Sequence, residues 1–240
     1  MMRSKQLLLD KYDSDKITNR YLEEYDPIFE PLVQKDIKLL ELGIYKGGSL
    51  LLWRDYFPNG TVAGIDIKLP KGLESEERIQ LFNGSQTDTG FLSEVADKIA
   101  PDGFDIIIDD ASHIGEFTKV AFWHLFSNHL KPGGLYVIED WGTGYMTYFP
   151  DGKGFKIKRS FLSRLRSNLV LRYNFLIRFP FITRYPFETH RYGMVGFIKQ
   201  LIDELGLGGY TRGIPTRHSV FSSMVVTQNM VFIHKAIGQP

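Results

Sequence analysis

Short apolar runs alternate with helical patterns along the first 140 residues of the chain. The apolar runs predict buried strands at residues 37–42, 61–67, 78–82, 104–109 and 135–139. Segments with helical periodicity lie between them, at residues 49–56, 89–99 and 115–130. Apolar strands that alternate with helices are typical of a parallel sheet with helices on both faces. The pattern therefore predicts an α/β fold of the doubly wound, Rossmann-like type.

The last part of the chain predicts a different strand arrangement. A helix is expected over residues 193–205, ended by Gly206, and two β-rich runs follow at residues 219–226 and 230–235. The short spacing between these runs requires an antiparallel hairpin. We therefore expect a seven-stranded, mostly parallel sheet with an antiparallel last strand, and a helical, aromatic insertion after the fifth strand.

One domain, residues 1–240, is the expectation for a chain of 240 residues. Within it we predict an N-terminal helical cap (1–35), a cofactor-binding core (36–142), a basic aromatic insertion or lid (143–192), and a final helix with a β-hairpin (193–240). No segment has the pattern of a signal peptide or the length of an apolar membrane span, so a cytoplasmic location is expected.

Composition and charge narrow the chemistry. The sequence has no cysteine, which excludes thiol nucleophiles, iron–sulfur clusters and cysteine-bound zinc. The net charge is +1, but residues 151–192 alone carry ten Lys and Arg against two acids, together with nine aromatic residues. That segment sums to +8, so the remaining residues sum to −7. An acidic remainder argues against a nucleic-acid partner.

The basic aromatic insertion has three interpretations. It forms a lid over an acceptor site, an interface in a homo-oligomer, or a helix on a membrane surface. Apolar residues in it recur near helical spacing, at Leu162, Leu165, Leu169, Tyr173 and Leu176. Basic amphipathic helices bind anionic lipids, and residues 155–182 would be the membrane-associated part. We favour the lid and the oligomer interface, because the asparagines and flanking aromatics also fit a packed insertion.

A glycine-rich turn follows the first predicted strand. Gly43, Gly47 and Gly48 do not have the spacing of the pyrophosphate-binding G-x-G-x-x-G motif, and Tyr45 stands in place of its second glycine. Asp66 ends the second strand about 20 residues further on, where an acid can accept hydrogen bonds from both hydroxyls of a ribose. The combination indicates an adenosine-containing cofactor without a pyrophosphate. A plain strand-to-helix turn is the alternative.

Two pairs of acids end neighbouring strands, Asp109 with Asp110 and Glu139 with Asp140. The carboxyl ends of parallel strands meet at one edge of a sheet, so we expect these four carboxylates to converge there. Converging carboxylates repel, and Mg²⁺ relieves the repulsion while keeping positions open for water or substrate oxygens. The alternative is that one acid of each pair caps a helix or faces solvent. His113, three residues after Asp110, can accept a proton near neutral pH.

The sequence from Glu41-Leu42-Gly43 to Gly48-Ser49, together with Asp66 and residues 83–88, resembles the S-adenosylmethionine site of class I methyltransferases. The resemblance implies that Gly43 and Gly47 lie beside the methionine portion and that Asp66 binds the ribose hydroxyls. It also implies that residues 85 and 86 lie near the adenine. The cofactor-binding residues predicted on this basis are Glu41, Gly43, Tyr45, Gly47, Ser49, Asp66, Ser85, Gln86 and Asp109.

The wider pattern resembles the metal-dependent O-methyltransferases that modify sugars of macrolides, of the mycinamicin and tylosin type, and the related cephalosporin hydroxylase-like proteins. The segments that carry it are residues 12–16 with Tyr21 and Tyr25, which resemble an N-terminal Asp-Lys motif, and residues 40–49, 108–113, 131–141 and 230–235. The resemblance implies Mg²⁺ on Asp110, Glu139 and Asp140, with His113 and Asp110 as the catalytic residues and His113 as the general base. Spacing alone does not decide whether Asp109 or Asp110 is the metal ligand, and we prefer Asp110.

These features predict an S-adenosylmethionine-dependent, Mg²⁺-assisted O-methyltransferase that acts on a small-molecule glycoside or polyol. Two alternatives stay open at this point. The acceptor is a catechol-like phenol or a small aglycone, or the chain is a non-catalytic binding protein of the hydroxylase-like type.

Overall fold

The computed structural model of the chain describes residues 2–153, 192–207, 210–211, 214–215 and 218–238. Most of the basic aromatic insertion lies outside the described residues. The same holds for the helix predicted around residues 162–176 and for the membrane-associated part considered at 155–182. None of the helices in the described ranges is long and apolar enough to cross a membrane.

Seven of the described strands form one sheet, and they are β1 Lys38–Leu42, β2 Thr61–Asp66, β3 Ile79–Asn83, β4 Phe104–Asp109, β5 Leu130–Glu139, β8 Phe221–Val226 and β9 Met230–Lys235. Their order across the sheet is β3-β2-β1-β4-β5-β9-β8. The first five strands pair in parallel, whereas β9 is antiparallel to both β5 and β8. The predicted mostly parallel sheet with an antiparallel last strand is therefore confirmed. Two short strands, β6 Tyr210–Thr211 and β7 Ile214–Pro215, pair separately and were not predicted.

Helices cover both faces of the sheet. Within the ranges that the structure describes, the α-helices are α1 Asp15–Thr18, α2 Leu22–Phe29, α3 Gly48–Tyr56, α4 Thr89–Ile99, α5 Gly115–Asn128 and α6 Gly193–Leu207. The 3₁₀ helices are Arg3–Gln6, Leu9–Lys11, Glu30–Leu32 and Trp141–Tyr145. Residues of α4, α5 and α6 pack in one apolar cluster, and residues of α2 and α3 pack in a second.

The pleat of the strands divides their side chains between these two clusters. Ile107 of β4 lies in the cluster of α4, α5 and α6, whereas Ile106 and Ile108 lie in the cluster of α2 and α3. Val137 of β5 and Leu39 of β1 also belong to the α2 and α3 cluster. Side chains alternate along a strand, so the acids at the strand ends also face opposite sides of the sheet.

Several element boundaries differ from those predicted. Helix α5 ends at Asn128, and β5 begins at Leu130 rather than at Leu135. Leu130 pairs with Phe104, pairing resumes between Leu135 and Ile106, and the register shifts between these pairs. The Pro-Gly-Gly sequence is therefore a bulge inside β5 rather than a turn before it. Helix α6 continues through Gly206 to Leu207, since a glycine weakens a helix by only about 1 kcal/mol.

Candidate active site

The glycine loop after β1 packs directly against the segment that follows β4. Gly43 has a φ of 91°, and a Cβ atom at this position would lie 2.2 Å from the carbonyl oxygen of Asp110. The amide of Asp110 donates to the carbonyl oxygen of Leu42 at 2.9 Å. Only glycine permits both this backbone conformation and this close approach. The contact brings the loop and Asp110 to the same edge of the sheet.

Asp66, at the end of β2, holds the glycine loop in shape. Its Oδ2 accepts hydrogen bonds from the amides of Ile44 at 2.8 Å and Tyr45 at 3.1 Å, and its Oδ1 accepts from the amide of Lys68 at 2.9 Å. The Tyr45 backbone adopts a φ of 48°, and its side chain is 80% exposed. The carboxylate predicted to bind a ribose thus also orders the neighbouring backbone.

Two adjoining cavities lie along this loop. The first, of about 490 Å³, is lined among others by Asp13, Gly43, Tyr45, Ser49, Asp110 and His113. The second, of about 330 Å³, is lined among others by Ile67, Ser85, Gln86, Ser112 and Phe117. Both cavities contact Gly43, Asp66 and Ala111, and both have the volume of a small-molecule site. Glu41 and Gly47, which are also described, lie outside the walls of both.

Asp109 points away from Asp110, into the cluster of α4, α5 and α6. Its Oδ1 accepts from Nε2 of Gln86 at 3.3 Å, and its Oδ2 accepts from the hydroxyl of Tyr136 at 3.4 Å. The Gln86 Oε1 in turn accepts from the amide of Ser112 at 3.1 Å. Burial raises the pKa of the Asp109 carboxyl to about 7. The expected convergence of four carboxylates therefore fails for Asp109, because the pleat directs it to the other face.

The carboxylates on the α2 and α3 side surround a buried lysine. The Nζ of Lys16 lies 2.7 Å from Asp110 Oδ2, 2.9 Å from both oxygens of Glu139 and 3.2 Å from Glu41 Oε1. Burial alone would lower the pKa of Lys16, but these three carboxylates raise it well above its ordinary value. The second oxygen of Glu41 accepts from the Ser49 hydroxyl at 2.9 Å. A protein cation thus supplies part of the charge compensation that the sequence argument assigned to a metal.

Two tyrosines from the same N-terminal segment complete this network. The hydroxyl of Tyr25 donates to Glu139 Oε1, and the hydroxyl of Tyr21 donates to Asp140 Oδ1. Burial and the nearby Glu139 raise the pKa of Tyr25 well above its ordinary value. In the sequence, Lys16 and both tyrosines stand out only as part of a motif. Their contacts with the carboxylates were not predicted. The N-terminal Asp-Lys motif is the sequence feature that could have indicated these contacts. Lys16 lies 94 residues before Asp110 and 123 residues before Glu139, so no local pattern relates them.

Asp110, His113 and Asp140 form the group that can hold a metal ion among the residues that the structure describes. Their ligand atoms all lie within 4.8 Å of one another. The Nε2 of His113 is 3.9 Å from Asp110 Oδ1 and 4.0 Å from Asp140 Oδ2. Two carboxylates with room for water fit a hard cation such as Mg²⁺. Glu139 is outside this group, because its oxygens accept hydrogen bonds from Lys16 and Tyr25.

The backbone at two of these residues is strained. His113 and Asp140 both have a φ of 53°, a region that non-glycine residues adopt at a cost of about 1–3 kcal/mol. His113 also packs edge-on against Phe149, with ring centroids 6.0 Å apart. Such strain persists only where the surrounding contacts enforce it, and it is typical of functional sites.

A third cavity, of about 360 Å³, opens on the other side of Asp140. Its walls include the aromatic side chains of Tyr148 and Phe149 and the amide side chains of Asn19 and Asn229. Tyr148 is 74% exposed and lies next to Phe149, with ring centroids 5.1 Å apart. The metal-ligand group therefore stands between this cavity and the first one, with Asp140 in the wall of the third and Asp110 in the wall of the first.

Comparison with known proteins finds sugar-modifying methyltransferases. The chain is 39% identical to demethylmacrocin O-methyltransferase from Streptomyces fradiae over 157 residues, which are 58% of this chain and 39% of that protein. It is 40% identical to mycinamicin VI 2''-O-methyltransferase from Micromonospora griseorubida over 136 residues, 54% of this chain and 33% of that protein. The chain thus spans well under two thirds of these relatives. No model of a protein family matches it.

Comparison of structures gives the same result. MycE methyltransferase from the mycinamycin biosynthetic pathway, in complex with Mg and SAH, superposes with a TM-score of 0.66 at 29% identity. The match covers 90% of this chain and 48% of MycE. MycE in complex with Mg, SAH and mycinamycin VI gives a TM-score of 0.64 at 29% identity, over 92% of this chain and 51% of MycE. The chain therefore has the fold of class I S-adenosylmethionine-dependent methyltransferases and, as the sequence indicates, resembles the macrolide sugar O-methyltransferases.

Proposed function

We propose that the chain is an S-adenosylmethionine-dependent, Mg²⁺-assisted O-methyltransferase that acts on a sugar hydroxyl of a glycosylated natural product. The observation that carries the proposal is the position of Asp110 and His113. Both residues line the cavity beside the glycine loop and both belong to the candidate metal-ligand group. A methyl donor in that cavity and an oxygen acceptor at the ligand group would meet at His113.

The cofactor is proposed to occupy the two adjoining cavities. Its methionine portion would lie along Gly43 and Tyr45, with Ser49 in the wall, and its adenine would lie near Ser85 and Gln86. Asp66 contacts both cavities, which suits its predicted role at the ribose hydroxyls. The relatives are named as O-methyltransferases, and MycE is described in complex with SAH. Glu41, Gly47 and Asp109 would act indirectly, by supporting this loop and its neighbours.

Asp110 and Asp140 are proposed to hold Mg²⁺. Bound Mg²⁺ supplies positive charge that lowers the pKa of an acceptor hydroxyl. His113 then accepts the hydroxyl proton at Nε2, which faces both carboxylates. Glu139 as a third ligand stays a prediction. The glycine loop and the strand ends hold the two substrates in line, and positioning of this kind supplies much of the rate in a transfer that needs little covalent help.

The acceptor sugar is proposed to enter the third cavity. Tyr148 and Phe149 offer aromatic faces to the apolar face of a sugar ring, and the side chains of Asn19 and Asn229 can hydrogen-bond to its hydroxyls. The relatives' names specify sugar positions on macrolides and related compounds, which supports a glycoside as the acceptor class. The lid, the homo-oligomer and the cytoplasmic location stay predictions.

A substrate screen tests this function. The protein is incubated with S-adenosylmethionine, Mg²⁺ and matched panels of glycosides, catechols and aglycones, and products are identified by mass spectrometry. We expect methylated glycosides, and we expect Asp110→Asn to abolish them while calorimetry shows that the cofactor still binds. Cofactor binding without transfer to any panel member would favour a binding protein, and transfer to catechols alone would contradict the sugar assignment.

A further inference from the structure

Lys16 is a buried charge shared by carboxylates from three strands. Its side chain has no exposed surface, and its ammonium contacts Glu41 of β1, Asp110 just after β4 and Glu139 of β5. Burying a charge is costly unless it is paired, and removing one partner leaves the others uncompensated. The contact with Glu41 Oε1 is an ion pair at 3.2 Å, and that buried oxygen accepts no well-aligned hydrogen bond. Lys16 therefore stands where a cation is required.

We infer that Lys16 is the resident cation of the carboxylate cluster formed by Glu41, Asp110 and Glu139, which means that its ammonium permanently occupies a position where a metal ion could otherwise bind. Lys16 is thus a positioning residue on the buried side of the cluster, and it limits the site to one divalent ion. The inference deepens the proposed function and rests on it, because it concerns the same metal site. Lys16 would set how many metal ions the site holds and which oxygen of Asp110 faces them. The N-terminal segment would thus supply one positive charge to the site, beside the two of a bound divalent ion.

The two oxygens of Asp110 have different neighbours. Oδ2 is bound to Lys16 at 2.7 Å, whereas Oδ1 faces His113 Nε2 at 3.9 Å. Lys16 therefore occupies one Asp110 oxygen and leaves the other oxygen free to bind a metal ion. Glu139 differs from Asp110 in this respect, because Lys16 contacts both of its oxygens. Without Lys16, oxygens of three carboxylates would face the vacated position, which is the ligand set of a second hard cation.

The segment that supplies Lys16 also borders the cofactor cavity. Asp13, Ser14 and Asp15 line the cavity beside the glycine loop, and the Ser14 hydroxyl accepts from the Lys16 amide at 3.3 Å. A Cβ atom on Gly48, at the start of α3, would lie 2.1 Å from the Asp13 carbonyl oxygen. The N-terminal segment is thus packed too closely against α3 for Lys16 to leave its position easily.

The test counts bound ions rather than activity. Mn²⁺ replaces Mg²⁺ as a paramagnetic probe, and electron paramagnetic resonance measures free Mn²⁺ during titration of the full chain. The variants are Lys16→Met, the same change at the exposed Lys11 as a matched control, and the double variant Lys16→Met/Glu139→Gln, which restores the charge balance. We expect one ion in the wild type and in Lys11→Met, two in Lys16→Met, and one again in the double variant.

A folded Lys16→Met variant that binds one ion or none would overturn the inference. If Lys16→Met unfolds in EDTA, thermal melts decide instead. Mn²⁺ should then raise its melting temperature more than that of the wild type, and an equal rise would count against Lys16 as resident cation. Absence of Mn²⁺ binding in the wild type would overturn both this inference and the metal role in the proposed function. The expected ion counts without methyl transfer would contradict the proposed function alone.

Discussion

Gly43 offers the sharpest test of how the glycine loop positions Asp110. In Gly43→Ala the new Cβ atom would lie 2.2 Å from the Asp110 carbonyl oxygen, which is a backbone atom and cannot rotate away. The Asp110 segment must therefore shift by about 1 Å or more to restore an ordinary contact. Gly72 provides a matched control, because it has the same φ of 91° and a Cβ there would meet no atom within 4 Å.

The magnitude follows from the difference between the two positions. An alanine at either glycine adopts a left-handed backbone conformation, which costs about 1–2 kcal/mol. Only Gly43→Ala adds a backbone clash, and overpacking of this kind costs about 1–3 kcal/mol. We therefore expect the free energy of unfolding to fall by about 1–2 kcal/mol in Gly72→Ala and by about 2–5 kcal/mol in Gly43→Ala.

Urea unfolding measures both free energies, and methyl transfer at a temperature where both variants are folded measures function. A shift of about 1 Å in a catalytic group can reduce the rate on the order of 100-fold, so Gly43→Ala should lose activity while Gly72→Ala keeps it. Equal loss of stability in the two variants, or full activity in folded Gly43→Ala, would refute the close packing of the loop against Asp110.

Three further predictions concern the site. His113→Gln should reduce kcat by about 100- to 10,000-fold in steady-state kinetics, whereas calorimetry should show an unchanged cofactor affinity. A normal kcat would show that His113 is not the general base. Tyr25→Phe should lower the free energy of unfolding by about 1.5–3 kcal/mol, because the hydroxyl donates to buried Glu139; Tyr148→Phe, at an exposed tyrosine, should change it little in the same denaturant experiment. EDTA should abolish transfer and Mg²⁺ restore it, while cofactor binding persists; transfer that survives EDTA would contradict the metal role.

Much of the fold could be predicted because the strands are continuous apolar runs, which parallel strands buried on both faces require. The bulge in β5 could not, since Pro132, Gly133 and Gly134 have the composition of a turn. Only the pairing of Leu130 with Phe104 shows that the strand begins before them. The sequence therefore predicted which strands exist more accurately than where they begin.

The acids and the histidine of the candidate site could be predicted from the sequence, but the side of the sheet to which each acid points could not. Ile106, Ile107 and Ile108 are all apolar, so β4 offers no alternation from which to infer which of Asp109 and Asp110 faces the side of α2 and α3. The role of Lys16 depends on contacts across 94 and 123 residues of sequence, which no local periodicity encodes. For these reasons the acids of the site could be identified from the sequence, whereas the lysine that neutralises part of their charge could not.

Transfer of a labelled methyl group shows whether the chain methylates a sugar hydroxyl with the help of a metal ion. The protein is incubated with Mg²⁺, a glycosylated natural product and S-adenosylmethionine that carries a trideuterated methyl group, and the product is fragmented in a mass spectrometer. We expect the whole label on a sugar oxygen, and we expect it to disappear in EDTA and in Asp110→Asn. A label found on the aglycone, or on the sugar with undiminished yield in EDTA, would contradict metal-assisted methylation of a sugar.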